Sequence, residues 1–172
     1  MVMAGTRPVV QQAEILISFF ARLLPLRPGT AFYLTALSLG TLLGSFITEP
    51  AAMTLIAILL KRRFFDRGIS TPLAYATLGL LFVNISIGGT LTHFAAPPVL
   101  LVAEKWHWNT PYMFTHIGWR AAASCLTSAL VTVFLFRKEL NQHIAEPPPA
   151  SAIPLWVTAL HLALMALVVN LA

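Results

Sequence analysis

Charged residues are scarce in this chain of 172 residues. Lys, Arg, Asp and Glu together make up 10% of the sequence, whereas hydrophobic residues make up 58%, which is well above the apolar share of a soluble domain. The composition therefore predicts an integral membrane protein. The formal net charge of +5 does not indicate a nucleic acid partner, because the basic residues stand at the ends of apolar runs, where they act as topology signals.

Cysteine is almost missing as well. Cys125 is the only one, and it lies in an apolar run, which excludes a disulfide framework and metal spacings such as CxxC. The five histidines have no HExxH or other ligand spacing. The sequence around Ser45 lacks the GxSxG pattern of a nucleophilic serine, and no carboxylate pair is visible. We therefore expect neither an enzyme nor a bound metal or cofactor.

The most informative feature present is a polar stretch at residues 84–98 between two apolar runs. It contains two glycines and two prolines, which interrupt helical hydrogen bonding. Unpaired backbone groups are costly in lipid, so such a break persists only where it lines a buried or water-filled cavity. We predict a discontinuous transmembrane helix over residues 70–106 with a small-solute or ion site near mid-membrane. Its candidate residues are Asn84, Ser86, Thr90, Thr92 and His93.

A second interruption lies at residues 44–50. As one helix, residues 31–60 would run about 45 Å, longer than the hydrocarbon core of about 30 Å, and would carry Glu49 and Pro50 in the middle. A re-entrant helical hairpin over residues 31–64 fits better, because neither arm alone could cross. Glu49 is the only carboxylate inside an apolar segment, so we predict that it binds an ion or a proton. The alternative is that it only caps the second arm.

The remaining segments complete a multi-pass arrangement. Residues 1–29 contain an apolar run too short to span, which predicts an amphipathic helix along the interface, or else a core helix under the first span. Residues 112–136 are predicted to form one full span. A polar linker follows at residues 138–150, and residues 151–172 begin another span.

Orientation follows from the distribution of Lys and Arg, because loops rich in these residues stay cytoplasmic. With a re-entrant hairpin, the basic loops at residues 61–69 and 137–150 fall on one side, which we predict to be cytoplasmic. Two further side chains are candidate proton or charge partners. Arg120 could neutralise Glu49 or extend to the interface, and His93 could relay a proton or pack beside Phe94.

The pairing of residues 44–54 (GSFITEPAAMT) with residues 80–98 (LLFVNISIGGTLTHFAAPP) resembles the "putative sodium/proton antiporter" family of bacteria. This family lies in the ion transporter superfamily, with arsenite and dicarboxylate/sodium carriers. The resemblance is strongest over residues 31–137. It implies an all-α integral membrane fold with inverted repeats, in the bacterial inner membrane, and Na+ and H+ as the transported ions. It assigns the ion-binding positions to Ser45, Thr48, Glu49, Asn84, Ser86, Gly88, Gly89, Thr90 and Thr92.

The sequence departs from the pattern of this family in one respect. Members of the family carry a second hairpin and a second broken helix, whereas here residues 151–172 resemble only the first helix of a second repeat. The chain is therefore expected to be a fragment with a first-repeat transport core at residues 30–137, which needs the missing repeat or a homo-oligomer partner. Two alternatives stay open: an anion carrier for dicarboxylates or oxyanions, and a membrane subunit that does not transport. The acidic hairpin tip favours a cation.

Overall fold

The computed structural model of the chain describes residues 7–142, and this part consists of helices and turns without a strand. The predicted span at residues 151–172 and most of the linker lie outside the described residues. The helices are α1 Arg7–Arg22, α2 Pro28–Thr35, α3 Gly44–Ile47, α4 Glu49–Arg63, α5 Thr71–Gly88, α6 Pro97–Lys105, α7 Thr110–Met113 and α8 Trp119–Leu140.

Helices α2 to α4 form an antiparallel helical hairpin. The first arm consists of α2, a π-helical stretch at Ala36–Gly40 and the short α3, and the second arm is α4. At the base, the rings of Phe32 and Phe64 lie 6.5 Å apart. Near the tip, Gly44 packs so closely on Ala52 that a Cβ on the glycine would lie 3.3 Å from the alanine Cβ. The two arms are therefore in contact both at the base and near the tip. The hairpin occupies residues 28–63, close to the range of residues 31–64 expected from the sequence.

The hairpin turns at Thr48, where α3 ends and α4 begins. Pro50 lies in the first turn of α4, where its missing N–H is not needed and its fixed φ suits a helix start. Glu49 lies beside it, at the end of the helix where the backbone N–H groups favour negative charge. Whether the hairpin enters and leaves a membrane on the same side stays a prediction.

Helix α5 is followed by a break, as predicted, but the break begins later than the polar stretch suggested. Asn84 and Ser86 are helical, a 3-10 turn occupies Gly89–Leu91, and residues 92–96 are not helical. The two glycines do not end the helix, because Gly88 and Gly89 have helical φ values of −63° and −69°. The first extended residue is Thr92, and Pro97 begins α6 after an extended Ala96, the conformation favoured before proline.

The long helical run Thr110–Leu140 exceeds the predicted span of residues 112–136. It consists of α7, a π-helical turn at Phe114–Gly118 and α8. It packs antiparallel on α5, since the backbone N–H of Ser70 donates to Glu139 Oε1 at 2.6 Å at one end, and Leu91 lies against Gly118 at the other. Among the described residues, this run and Thr71–Leu91 are the two helices long and apolar enough to cross a membrane.

Helix α1 packs on the hairpin with one face. An ion pair fixes this contact, because Arg63 Nη2 lies 2.7 Å from Glu14 Oε1 and both side chains are buried, with 5% and 11% of their surface exposed. Arg22 and Arg27 are exposed. The opposite face of α1 exposes apolar side chains, so its predicted place at a membrane interface stays open. The buried face, with the helical spacing of three or four residues, comprises Val10, Glu14, Ile17 and Ala21.

Candidate functional site at the hairpin tip and the helix break

Ser45 joins the hairpin tip to the broken helix. Its hydroxyl donates to the Gly88 carbonyl at 2.5 Å and accepts from the Leu91 N–H at 2.9 Å. Its own carbonyl accepts from the Thr92 hydroxyl at 2.6 Å. The first two bonds pair a carbonyl and an N–H at the end of the helix, which is what a break in an apolar setting requires. The Ser45 side chain is fully buried, and its predicted role as an ion ligand stays a prediction.

Gly88 is the point at which α5 touches the first arm of the hairpin. A Cβ on Gly88 would lie 2.7 Å from the carbonyl oxygen of Thr41 and 3.1 Å from the N atom of Leu42. Both are backbone atoms, which cannot move aside as the end of a side chain can. The glycine is therefore required for space and not for a left-handed conformation.

Glu49 lies between the hairpin tip and the break. Its Oε1 accepts a hydrogen bond from the Ser86 hydroxyl at 2.9 Å, and its N–H donates to the Ala95 carbonyl at 3.4 Å. Gly89 lies under the side chain, because a Cβ there would be 4.0 Å from Glu49 Oε2. Within residues 10–142, no basic side chain comes within 4.0 Å of this carboxylate. The structure thus presents a half-buried carboxylate with one hydroxyl partner and no counter-charge.

Asn84 lies in α5 on the side facing α8 and the first arm, and it is fully buried. Its Nδ2 donates to the carbonyl of Leu37 at 2.7 Å and to that of Cys125 at 3.1 Å. Its Oδ1 accepts from the Ser128 hydroxyl at 2.8 Å. Leu37 belongs to a π-helical stretch, a feature frequently found at functional sites. Asn84 therefore links three helical segments, and both the nitrogen and the oxygen of its side-chain amide have hydrogen-bond partners.

The three threonines predicted to bind an ion differ in their surroundings. Thr90 donates to the Ile87 carbonyl at 2.7 Å, and Thr92 bonds to Ser45 as described. Thr48 has φ 92° and ψ 143°, a conformation that is an outlier for a β-branched residue. Such backbone strain costs about 1–3 kcal/mol and is concentrated at functional sites.

The two predicted charge partners are not close to Glu49. His93 Nδ1 lies 2.7 Å from the hydroxyl of Thr110, and its ring meets that of Phe94 edge to face at 5.4 Å. Arg120 is exposed, and its guanidinium lies 5.3 Å from the ring of Trp119. In the described part of the chain, no group of three or more His, Cys, Asp and Glu side chains could hold a metal ion.

Sequence reasoning missed the partners that come from α8 and from the backbone. Cys125 and Ser128 both touch Asn84, but the sequence analysis assigned them no role. A signal was present, because Ala121, Cys125 and Ala129 place small residues four apart, the spacing of close helix packing in membranes. No sequence signal indicated the contact between Gly88 and the Thr41 backbone, because a main-chain contact does not depend on the residue type at position 41.

The comparisons with known proteins agree with the resemblance. The family model described as "Putative Na+/H+ antiporter" matches residues 1–172, the whole length of the chain. No curated protein and no solved structure matches it. The two long apolar helices fit a membrane location. With the match over its whole length, the chain belongs to this antiporter family and is a membrane transport protein.

Proposed function

We propose that the protein exchanges a monovalent cation, sodium, for protons across the membrane. The observation that carries the proposal is the Glu49 carboxylate, held between a hairpin tip and a helix break without a basic partner among the described residues. A carboxylate in an apolar segment is a functional group by default. Proton and cation compete for the same oxygens, so one group can couple the movement of both.

The oxygen atoms around Glu49 suit a small hard cation. Such cations prefer carboxylate, hydroxyl and carbonyl oxygens. We propose that the carboxylate of Glu49 supplies ligand oxygen, together with backbone carbonyls of residues 92–96. Broken helices in transporters place carbonyl groups in this way.

The same site explains why exchange would be obligatory. An unpaired carboxylate is costly in an apolar environment, so a conformational change that moves Glu49 away from water is favourable only when the carboxylate is neutralised. A proton or a monovalent cation each neutralises it, and the empty charged form does not cross. The protein therefore carries one or the other in each direction.

The depth of the site depends on orientation. Thr71 and Ser86 are separated by about 22 Å along α5, compared with a hydrocarbon core of about 30 Å. We propose that the loops at residues 61–69 and 137–150 face the cytoplasm of a bacterium. With Thr71 at the cytoplasmic boundary, the site then lies closer to the outer surface of the inner membrane than to the cytoplasmic surface.

The surface near the site exposes apolar side chains. Phe46 in the hairpin tip, and Phe82 and Val83 about one turn before Ser86, are 52–55% exposed, and a carboxylate such as Glu49 cannot face lipid without cost. We propose that a second structural unit, either another repeat or a second copy of the chain, covers this face and lines the other side of the ion path. The bilayer covers the rest of the apolar surface.

Reconstitution into liposomes tests the function. The full-length protein should move protons, read by an internal pH dye, when a sodium gradient is imposed. Glu49→Gln should abolish this exchange, whereas Glu104→Gln, which changes an exposed carboxylate on α6, should not. Exchange by Glu49→Gln equal to that of the wild type contradicts the proposal. Sodium-independent uptake of a dicarboxylate or an oxyanion would show an anion carrier instead.

A further inference from the structure

We propose that Ser86 is a positioning residue that fixes one oxygen of the Glu49 carboxylate, so that the other oxygen meets the cation on the side where Gly89 has no side chain. This inference rests on the proposed function and specifies how its site selects a small cation.

Ser86 differs from most hydroxyl residues in the described helices, although Thr30 and Ser45 also bond outside their own helix, to the Asn141 side chain and to the Gly88 carbonyl. The usual partner of a helical Ser or Thr hydroxyl is the carbonyl four residues earlier. Ser86 lies inside α5, but its hydroxyl bonds to Glu49 on α4 at 2.9 Å. The direction of the Ser86 hydroxyl is therefore set by the carboxylate. The residues that follow the usual pattern include Thr35, Ser38, Thr54, Thr77, Thr115, Ser128 and Thr132.

Burial does not explain this bond. Ser86 is exposed, so core packing does not force its hydroxyl towards α4. The bond has a direct effect on the glutamate, because a free Glu side chain has several rotamers and loses that freedom when a ligand binds. A side chain that is ordered beforehand binds its ligand more tightly, since the ordering cost no longer accompanies binding.

Gly89 defines the other side of the carboxylate. A Cβ at this position would lie 4.0 Å from Glu49 Oε2 and 3.3 Å from the Cβ of Ala96. The oxygen that Ser86 does not hold, Oε2, therefore lies on the side of the carboxylate where Gly89 contributes no side chain. A methyl group would occupy that space and reduce the size of the ion that fits.

The first test replaces the hydroxyl in the full-length protein in liposomes. Ser86→Ala should raise the apparent KM for sodium about tenfold, the size expected when a hydrogen bond to a charged group is lost, while the maximal rate changes little. Ser86→Thr should restore most of the affinity. Thr54→Ala is the matched control, because Thr54 lies one turn after Glu49 and its hydroxyl bonds to the Pro50 carbonyl.

The second test adds a methyl group at Gly89, next to the second oxygen of the Glu49 carboxylate. Gly89→Ala should weaken the apparent affinity for sodium more than that for the smaller lithium ion. Gly79→Ala should change neither, because Gly79 lies inside α5, the helix just before Gly89, with no atom within 4 Å of an added Cβ.

The outcomes separate this inference from the proposed function. If wild-type exchange requires Glu49 but Ser86→Ala keeps the wild-type KM, or Gly89→Ala behaves like Gly79→Ala towards both ions, the positioning role is wrong and the function stands. If the wild type shows no cation-driven proton movement, or Glu49→Gln retains it, the function itself is wrong.

Discussion

Gly88 and Thr41 are in backbone contact, and the contact leaves no room for a side chain on the glycine. A Cβ on Gly88 would approach the Thr41 carbonyl oxygen to 2.7 Å. The neighbouring Gly89 has its closest such contact with a side-chain carbon, Ala96 Cβ, at 3.3 Å. Two adjacent glycines therefore have different roles, since the first permits helix packing and the second borders the candidate site.

Gly88→Ala should accordingly destabilise the protein by about 1–3 kcal/mol, the cost of overpacking a well-packed contact. Gly89→Ala should have a smaller effect on stability. Thermal unfolding of the two purified variants in the same detergent measures the difference. Equal melting temperatures would show that the first arm moves away from α5 without cost.

Replacing Asn84 should reduce stability and not only ion affinity. An interhelical hydrogen bond in a membrane is worth about 0.6 kcal/mol on average, so Asn84→Ala should cost about 2 kcal/mol through its bonds to Leu37, Cys125 and Ser128. Ser128→Ala, which removes one of the bonds, should cost less. A variant of Asn84 with normal thermal stability and a raised KM for sodium would instead support the ion-binding role predicted from the sequence.

The buried ion pair between Glu14 and Arg63 should be sensitive to loss of either partner. Breaking a buried pair from one side costs about 3–5 kcal/mol, because the other charge stays buried without compensation. Arg63→Met and Glu14→Leu should therefore each impair folding, and the double variant should be more stable than either single one. Lys61→Met is the control, since the Lys61–Asp66 pair is exposed and such pairs contribute little. Single variants as stable as this control would contradict the prediction.

A replacement of Thr48 should raise the stability of the protein, whereas the replacements above should lower it. Its positive φ of 92° is accessible to glycine without steric cost. Thr48→Gly should therefore raise the stability of the purified protein by about 1 kcal/mol, after the strain relieved is offset by the greater freedom of glycine in the unfolded chain. Thr54→Gly, inside α4, should lower stability by about the same amount. A lower melting temperature for Thr48→Gly would show that the threonine side chain stabilises the tip.

The hairpin and the break were predictable because each contradicts the pattern of a continuous membrane helix. Glu49 and Pro50 inside an apolar run, and Pro97 and Pro98 inside another, are local signals that need no knowledge of the fold. The exact start of the break was not predictable. Gly88 continues the helix, since its conformation is decided by packing on the first arm and not by its own preference.

The relations between distant residues were less accessible to sequence reasoning. Whether Arg120 meets Glu49 depends on the rotation of α8 about its axis, and hydropathy does not determine that rotation. The structure turns Arg120 outward beside Trp119. Ser86 was assigned to the site only as one polar residue among several. The sequence does not show that its hydroxyl is directed to Glu49 and not to the carbonyl four residues earlier.

Helix α4 joins two features that lie far apart in the fold. Glu49 is its first residue and Arg63 its last, so the carboxylate of the site and the anchor of α1 occupy opposite ends of a stiff rod about 21 Å long. A tilt of about 5° about the Arg63 end moves the Glu49 end by about 2 Å, which is close to the length of a bond between a hard cation and an oxygen ligand. In the proposed exchange, the angle at which α1 lies against the hairpin therefore sets whether the Glu49 carboxylate reaches the cation.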